Sequence, residues 1–317
     1  MKKILAALPN YSRYCGEAKV YLQEHGCQVV ENETEGPLEF EQLKDMVGDV
    51  DGVIAGVDVW DERLLQLAPR LKAIARFGVG VDNIDLEAAR ARQVTVTNCP
   101  GINTESVAEH TVMLMLSIMR YFPALNAQTR QGKWTRVMVR ELRGKQVGLV
   151  GFGAVARSVA EKLTAFGCSI RAYDKFPDER EAARLGVKLC SLEEVLATSH
   201  VLSLHVPALP DTYHLLNRQA LKLCRPGVYV VNTSRGTVAD EEAVCEGLKS
   251  GKIAGYGSDV FEFEPVTRDC PLFQFENYVC TPHTAAESYE NYAMTGMKTA
   301  QALLDVFEGK EPENRLV

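Results

Sequence analysis

Three side chains in the last third of the chain have the types and the order that oxidation of a hydroxy acid needs. They are Arg235 in Asn232-Thr-Ser-Arg-Gly236, Glu264 in Asp259-Val-Phe-Glu-Phe-Glu-Pro265 and His283 in Thr281-Pro-His283. Removing hydrogen from a 2-hydroxy acid takes a hydride acceptor, a base for the hydroxyl proton, and a fixed cation that grips the carboxylate and polarises the neighbouring oxygen. An imidazole accepts that proton and, in reverse, returns it to the ketone oxygen. A carboxylate bonded to the far ring nitrogen fixes the tautomer and stabilises the charge the ring acquires. An arginine offers a planar fork to two oxygens at once, a role lysine fills poorly. Taken singly, a histidine before a helix reads as a cap and the two charged residues as surface groups. Glu262 is as well placed in the sequence as Glu264 to partner the histidine.

The hydride acceptor has its own signature upstream. Gly151-Phe-Gly153-Ala-Val-Ala156 follows a predicted strand and opens a predicted helix, the context in which such a pattern binds a dinucleotide. Gly151 permits the tight turn, Gly153 removes a side chain where a pyrophosphate must approach, and Ala156 is small enough for helix-strand packing. Amides at the helix start, at Ala154 and Val155, are expected to hold the phosphates. Asp174 ends the next strand, 21 residues beyond Gly153, where an acid reaches the ribose hydroxyls and repels a 2′-phosphate. NAD is therefore expected over NADP, with Lys175 beside the acid as a countervailing charge.

Short β-branched apolar segments alternating with helical patterns predict α/β architecture with parallel sheets. Strands are expected at 3–7, 28–31, 52–55, 71–76 and 94–97, forming one small doubly wound unit. Six more are expected from Lys145 onward, the first in Gln146-Val-Gly-Leu-Val-Gly151 and the others at 169–174, 201–205, 228–232, 253–259 and 278–281, the size of a full dinucleotide fold. Between the two sets, Asn103 is a plausible cap for a long helix that is apolar nearly all round. A final helix is expected over 287–308, closed by Gly309 and packed back on the first lobe.

At 317 residues the chain is expected to form two lobes with a cleft between them. Its 46% hydrophobic and 24% charged residues are ordinary globular composition, and no apolar run has the length of a membrane span. The net charge of −7 and the lack of a basic stripe argue against nucleic acid as a partner. The nine cysteines include no Cys-x-x-Cys pair, so no metal site is expected and free thiols in a reducing cytoplasm fit.

These residues resemble the D-isomer-specific 2-hydroxyacid dehydrogenase family over nearly the whole chain. The motifs are Arg76-Phe-Gly-Val-Gly-Val-Asp-Asn83, Pro100-Gly-Ile-Asn-Thr-Glu-Ser-Val-Ala-Glu109, the glycine turn, His205-Val-Pro207, Asn232-Thr-Ser-Arg-Gly236, Glu264-Pro265 and Pro282-His283. The resemblance implies a Rossmann NAD-binding domain, residues 101–286, inserted into a smaller flavodoxin-like substrate domain made of residues 1–100 and 287–317. It implies that Arg235, Glu264 and His283 are the catalytic trio, which selects Glu264 over Glu262 through the Glu-Pro match. It assigns Gly151, Gly153, Ala154, Val155, Asp174, His205, Val206, Pro207, Thr233, Ser234, Arg235, Asp259, His283 and Ala285 to the cofactor, with Asp259 at the nicotinamide amide. Val79 and Gly80 would offer amides to a small anionic 2-hydroxy or 2-keto acid, with Asn103 beside it. Arg76 either binds a second anionic group or braces the Gly78–Gly80 loop. Phosphoglycerate, glycerate or hydroxypyruvate, and glyoxylate are the candidate substrates, and a homodimer built through the cofactor lobe and the long helix is implied. The alternative on the same fold is an NAD(H)-sensing binding protein of the corepressor type. Formate oxidation fits poorly, since that chemistry uses a glutamine where Glu264 stands. Two departures stand out: Thr284-Ala285-Ala286 replaces a frequent glycine pair, and Ala55-Gly56-Val57 falls where many members carry an arginine.

Overall fold

The computed structural model describes residues 1–317, and they form two compact units. One comprises Met1–Asn103 with Glu287–Val317, the other Thr104–Ala286. Each is a parallel sheet covered by helices on both faces.

In the first unit the strands are β1 (Lys2–Pro9), β2 (Cys27–Asn32), β3 (Gly52–Ala55), β4 (Ala73–Arg76) and β5 (Thr95–Thr97), ordered β2-β1-β3-β4-β5. That is the flavodoxin-like order. Successive side chains of β1 alternate between faces, as a pleat requires: Ile4, Ala6 and Leu8 enter one core cluster, Leu5 and Ala7 the other. The C-terminal helix Tyr289–Phe307 belongs to this unit, and its Ala300, Leu303 and Leu304 share a cluster with Ile4 and Ile54. Its cap is Ser288, whose side chain accepts from the Asn291 amide, and Gly309 follows its end at φ +74°. Close packing explains two glycines: a methyl on Gly296 would lie 2.9 Å from Cβ of Cys15, and one on Gly52 2.8 Å from the Phe307 ring.

The second unit contains β6 (Gln146–Val150), β7 (Ser169–Tyr173), β8 (Lys188–Leu189), β9 (Val201–Leu204), β10 (Val228–Asn232), β11 (Ile253–Ser258) and β12 (Tyr278–Cys280). Their order, β12-β11-β10-β9-β6-β7-β8, is the Rossmann arrangement extended by one strand at the β11 edge. The expected count of six strands is corrected to seven. The additional one is β8, an edge strand whose Lys188 and Leu189 pair with Arg171 and Ala172. Two residues carry no readable period, so only pairing with β7 defines it.

The long helix runs Thr104–Met119 and buries Val107, Ala108, Thr111, Val112, Leu114, Met115, Ile118 and Met119 within this unit, while Met113 is exposed. It stops before Tyr121, a left-handed residue, and Pro123 opens a second helix, Phe122–Arg130. No helix is long and apolar enough to cross a membrane. All nine cysteines are free thiols.

Candidate active site

Parallel strands of one sheet bring their C-terminal ends to one edge, and ligands gather there where the strand order reverses. In the second unit the reversal lies between β6 and β9. The loops that follow these strands meet there. Gly151 has φ +92°, and a methyl on it would lie 2.5 Å from the His205 carbonyl oxygen, so only glycine fits. Gly153 has open space on its missing side chain. It is the N-cap of helix Ala154–Ala165 and supplies no side-chain cap, so the first amides of the helix stay available to an anion. Open space, free amides and an adjacent turn fit a dinucleotide pyrophosphate.

Asp174 lies just past β7. Its Oδ2 accepts from the Phe152 amide at 2.7 Å and its Oδ1 from the Phe176 amide at 2.8 Å. Each oxygen keeps a further lone pair, so the acid is held in place with acceptor capacity left for ribose hydroxyls. Lys175 pairs instead with Asp211, its Nζ 2.7 Å from Oδ2. The His205 imidazole turns to Ser203, with Nε2 2.9 Å from Oγ, and burial pushes its pKa down to about 4, so it stays neutral. The backbone of His205 and the Val206 side chain, rather than the imidazole, border the glycine turn.

The remaining residues sit on three adjacent strand ends. Asn232, Ser258 and Cys280 are in register across β10, β11 and β12. Arg235, Asp259 and His283 lie one to three residues beyond them. After β10, the Asn232 side chain organises the turn: its Oδ1 accepts from the Ser234 amide and hydroxyl, and its Nδ2 donates to the Arg235 carbonyl. Arg235 donates from Nη1 to the Ser234 carbonyl at 2.8 Å. Thr233 bonds Thr111 of the long helix, oxygen to oxygen at 2.8 Å. A methyl on Gly236 would overlap the Phe261 carbonyl, so this glycine lets the arginine turn and the glutamate loop touch.

Glu264 lies 2.7 Å from His283, Oε2 to Nδ1, and its Oε1 accepts from the Phe261 amide at 2.9 Å. Burial alone would raise this carboxyl, but the bonds from His283 and Phe261 and the charges of His283 and Arg235 outweigh it and hold it below the ordinary value. Glu262 points elsewhere: its Oε1 is 2.8 Å from Nε2 of His214, while its amide donates to Glu241. The geometry therefore joins His283 to Glu264 and leaves Glu262 with a different histidine.

His283 itself has φ +55°, a left-handed conformation held by its amide, which donates to the carbonyls of Asp259 and Thr281. Asp259 is 1% exposed and fastens the same loop. Its Oδ1 accepts from the Thr281 hydroxyl at 2.6 Å and the Thr284 amide at 2.8 Å, and its Oδ2 accepts from the Ala285 amide at 2.8 Å. The replacement of a glycine pair by Thr284-Ala285-Ala286 is thus accommodated by amides turned onto Asp259, with Ala285 buried. His110, on the long helix, lies 2.8 Å from the Thr281 hydroxyl through Nε2. Sequence reasoning gave no role to His110, Thr111, Thr281 and Gly236. Thr281 and Gly236 lie inside motifs quoted above and His110 adjoins the one ending at Glu109, whereas Thr111 carried no signal.

In the first unit, Arg76 donates from Nε to the Gly80 carbonyl at 2.8 Å and from Nη1 to the Phe77 carbonyl. It lies against Gly78, which has φ +141°. These bonds brace the loop. The Asn98 side chain and the Cys99 amide hold the carbonyls of Val79 and Gly78 from the other side. The amides of Val79 and Gly80 donate to no protein acceptor. Asn103 directly precedes the long helix. At the Ala55-Gly56-Val57 departure, buried Asp58 turns inward to accept from the Gly56 amide and the Trp60 indole.

Residues 112–285 match the family model described as D-isomer specific 2-hydroxyacid dehydrogenase, NAD binding domain. Among similar proteins, a D-3-phosphoglycerate dehydrogenase of Archaeoglobus fulgidus is 37% identical over 98% of this chain and 58% of its own length. A glyoxylate reductase of Korarchaeum cryptofilum is 35% identical over 88% of this chain and 86% of its own length. The chain spans 58% and 46% of two phosphoglycerate dehydrogenases it matches, about half their length. Among solved structures, TT0316 from Thermus thermophilus superposes with a TM-score of 0.91 at 34% identity, and the apo D-lactate dehydrogenase of Escherichia coli with 0.90 at 29%. Both alignments cover 100% of each chain.

Proposed function

The chain belongs to the D-isomer specific 2-hydroxyacid dehydrogenase family, and from that premise we propose that it interconverts a D-2-hydroxy acid and its 2-keto acid with NAD. The observation that carries this reading is the bond between His283 and Glu264, 2.7 Å long, on strand ends adjacent to the Arg235 turn.

NAD, when bound, supplies the hydride acceptor in one direction and the donor in the other. The Gly151 and Gly153 turn and the amides of Ala154 and Val155 would hold its phosphates, Asp174 its ribose, and the loops at 205–207, 233–235, 259 and 283–285 its nicotinamide half. His283 uses Nδ1 on Glu264, so the proton exchanged with substrate is carried at Nε2. Glu264 stays ionised and compensates the ring when it is charged. Arg235 binds the acid's oxygens and stabilises negative charge as it develops on the carbonyl. The free amides of Val79 and Gly80 are suited to a carboxylate, with Asn103 in an assisting role. Arg76 acts first by shaping that loop, which favours a small acid such as glyoxylate or hydroxypyruvate over a phosphorylated one.

A homodimer is supported by the apolar side chains that the second unit leaves in water: Trp134 is 89% and Met138 99% exposed. Light scattering of the wild type and a Trp134→Ala/Met138→Glu variant tests it, dissociation of the variant being the expected result. Free thiols support a reducing compartment such as the cytoplasm.

The central test is NADH oxidation with glyoxylate, hydroxypyruvate, pyruvate, a branched 2-keto acid and phosphohydroxypyruvate. Turnover with at least one, abolished in His283→Ala, is expected. No turnover above that variant with any of them overturns the reading, and tight NADH binding without turnover would favour a sensing role.

A further inference from the structure

The site described so far leaves the half-buried imidazole of His110 without a task. His110 lies on the helix Thr104–Met119, mostly shielded, and points Nε2 at the Thr281 hydroxyl. That hydroxyl is 2.6 Å from Oδ1 of Asp259. A carboxylate can only accept, so the single hydroxyl proton of Thr281 goes to Asp259, and the bond from His110 must be donated by Nε2–H. The chain of donors therefore has one direction, from the His110 ring to the Thr281 hydroxyl to the Asp259 carboxylate. Burial lowers the His110 pKa, in keeping with a neutral ring that carries its proton on Nε2.

Asp259 is the clamp of the 281–285 loop. Besides Thr281 its carboxylate receives the amides of Thr284 and Ala285, and its carbonyl receives the amide of His283. Four hydrogen bonds between this loop and the end of β11 thus pass through one residue, beside a fifth from the Thr281 amide to the Ser258 carbonyl. His110 sits 3.6 Å from Oδ1 of Asp259, too far for a direct bond, so it acts through Thr281.

We propose that His110 is a positioning residue for the hydride-transfer chemistry, fixing the Thr281 hydroxyl on Asp259 and thereby the left-handed loop that presents His283. The proposal rests on the catalytic reading of His283 given above. Without the ring's N–H, the Thr281 hydroxyl can rotate away from the carboxylate and Asp259 loses one of its three donors. The His283–Glu264 bond then has a looser support on the histidine side, and displacement of a reacting group by about 1 Å costs up to roughly 100-fold in rate.

Three variants test this: His110→Phe removes the donor and keeps the bulk, His110→Gln returns an N–H near the position of Nε2, and Thr281→Val removes the relay. Two measurements are made on the full chain, steady-state kinetics of keto-acid reduction by NADH and hydrogen exchange of the 281–286 segment. His110→Phe is expected to lower kcat roughly 10- to 100-fold. It should speed amide exchange in the segment about tenfold or more, one lost hydrogen bond, and weaken NADH binding by a smaller factor than it lowers kcat. His110→Gln should restore most of both. The Phe and Val losses should not multiply in the double variant, because they break one relay. Unchanged exchange in His110→Phe, or losses that multiply, overturns the proposal. Exchange needs no turnover, so if the wild type reduces no keto acid the catalytic reading fails, while the loop-fixing role is still decided by exchange.

Discussion

Nδ1 of His283 is 2.7 Å from Oε2 of Glu264, so the ring has one nitrogen committed and Nε2 left for the substrate. Replacing the ring in His283→Ala is expected to lower kcat by about 10² to 10⁴, the usual worth of a positioned acid or base. NADH binding, read by fluorescence, should change little.

The carboxyl of Glu264 lies below its ordinary value of 4.5, burial opposing the shift and the bonds from His283 and Phe261 prevailing. A carboxyl lowered on folding contributes stability in full above its unfolded value, and that contribution is lost as pH falls through the folded one. The His283–Glu264 pair should therefore persist through pH 4.5 and fail only in more acidic solution. In Glu264→Gln this acid limb of the activity profile should vanish, with kcat about 10- to 100-fold lower where the wild type is flat. A profile of the same shape in both proteins would contradict the assignment.

Arg235→Lys keeps the charge and loses the planar fork. One charge-assisted bond fewer predicts a fall of roughly 10- to 100-fold in kcat/KM for the keto acid. The NADH Kd is expected to stay within about threefold, since this fork is assigned to the acid. Kinetics with varied keto acid, alongside a fluorescence titration, separates the two.

Gly236→Ala would drive a methyl into the Phe261 carbonyl, which belongs to the loop that orients Glu264. Overpacking of this kind costs about 1–3 kcal/mol. A lower Tm together with a loss of kcat is expected, whereas Gly153→Ala, whose new methyl meets only open space, should spare Tm and weaken NADH binding instead. Thermal melts with and without NADH distinguish these outcomes.

Asp174→Ser should raise the ratio of NADPH to NADH efficiency by about tenfold or more, because the repulsion of a 2′-phosphate is removed. Asp211→Asn releases Lys175 from its 2.7 Å pair and should add a smaller gain, the pair being exposed on both sides. Initial rates with the two reduced cofactors measure both effects.

The strands of both units were legible because buried parallel strands are short β-branched runs. Gly52–Ala55 and Val228–Asn232 coincide with the expected spans. What could not be read was whatever depends on partners far along the chain. β8 exists only through pairing with β7. Gly236 looks like any glycine of a turn until the Phe261 backbone is laid against it, 25 residues later in sequence. His110 and Thr281 are separated by 171 residues, a distance no local pattern bridges. The choice between Glu264 and Glu262 was open on spacing alone, since both lie before the same proline. The loop resolves it by sending one carboxylate to His283 and the other to His214.

The helix Tyr289–Phe307, within Glu287–Val317, completes the core of a unit whose remaining residues precede position 104. A ribosome delivers Thr104–Ala286 as one uninterrupted piece, so that unit can close while synthesis continues. Residues 1–103 leave the exit tunnel before that piece and lack this helix until all of it has been made. During this interval Ile4, Ile54 and their neighbours are open to water on the side the helix will cover, and a nascent chain stalled before residue 289 would present that face to chaperones.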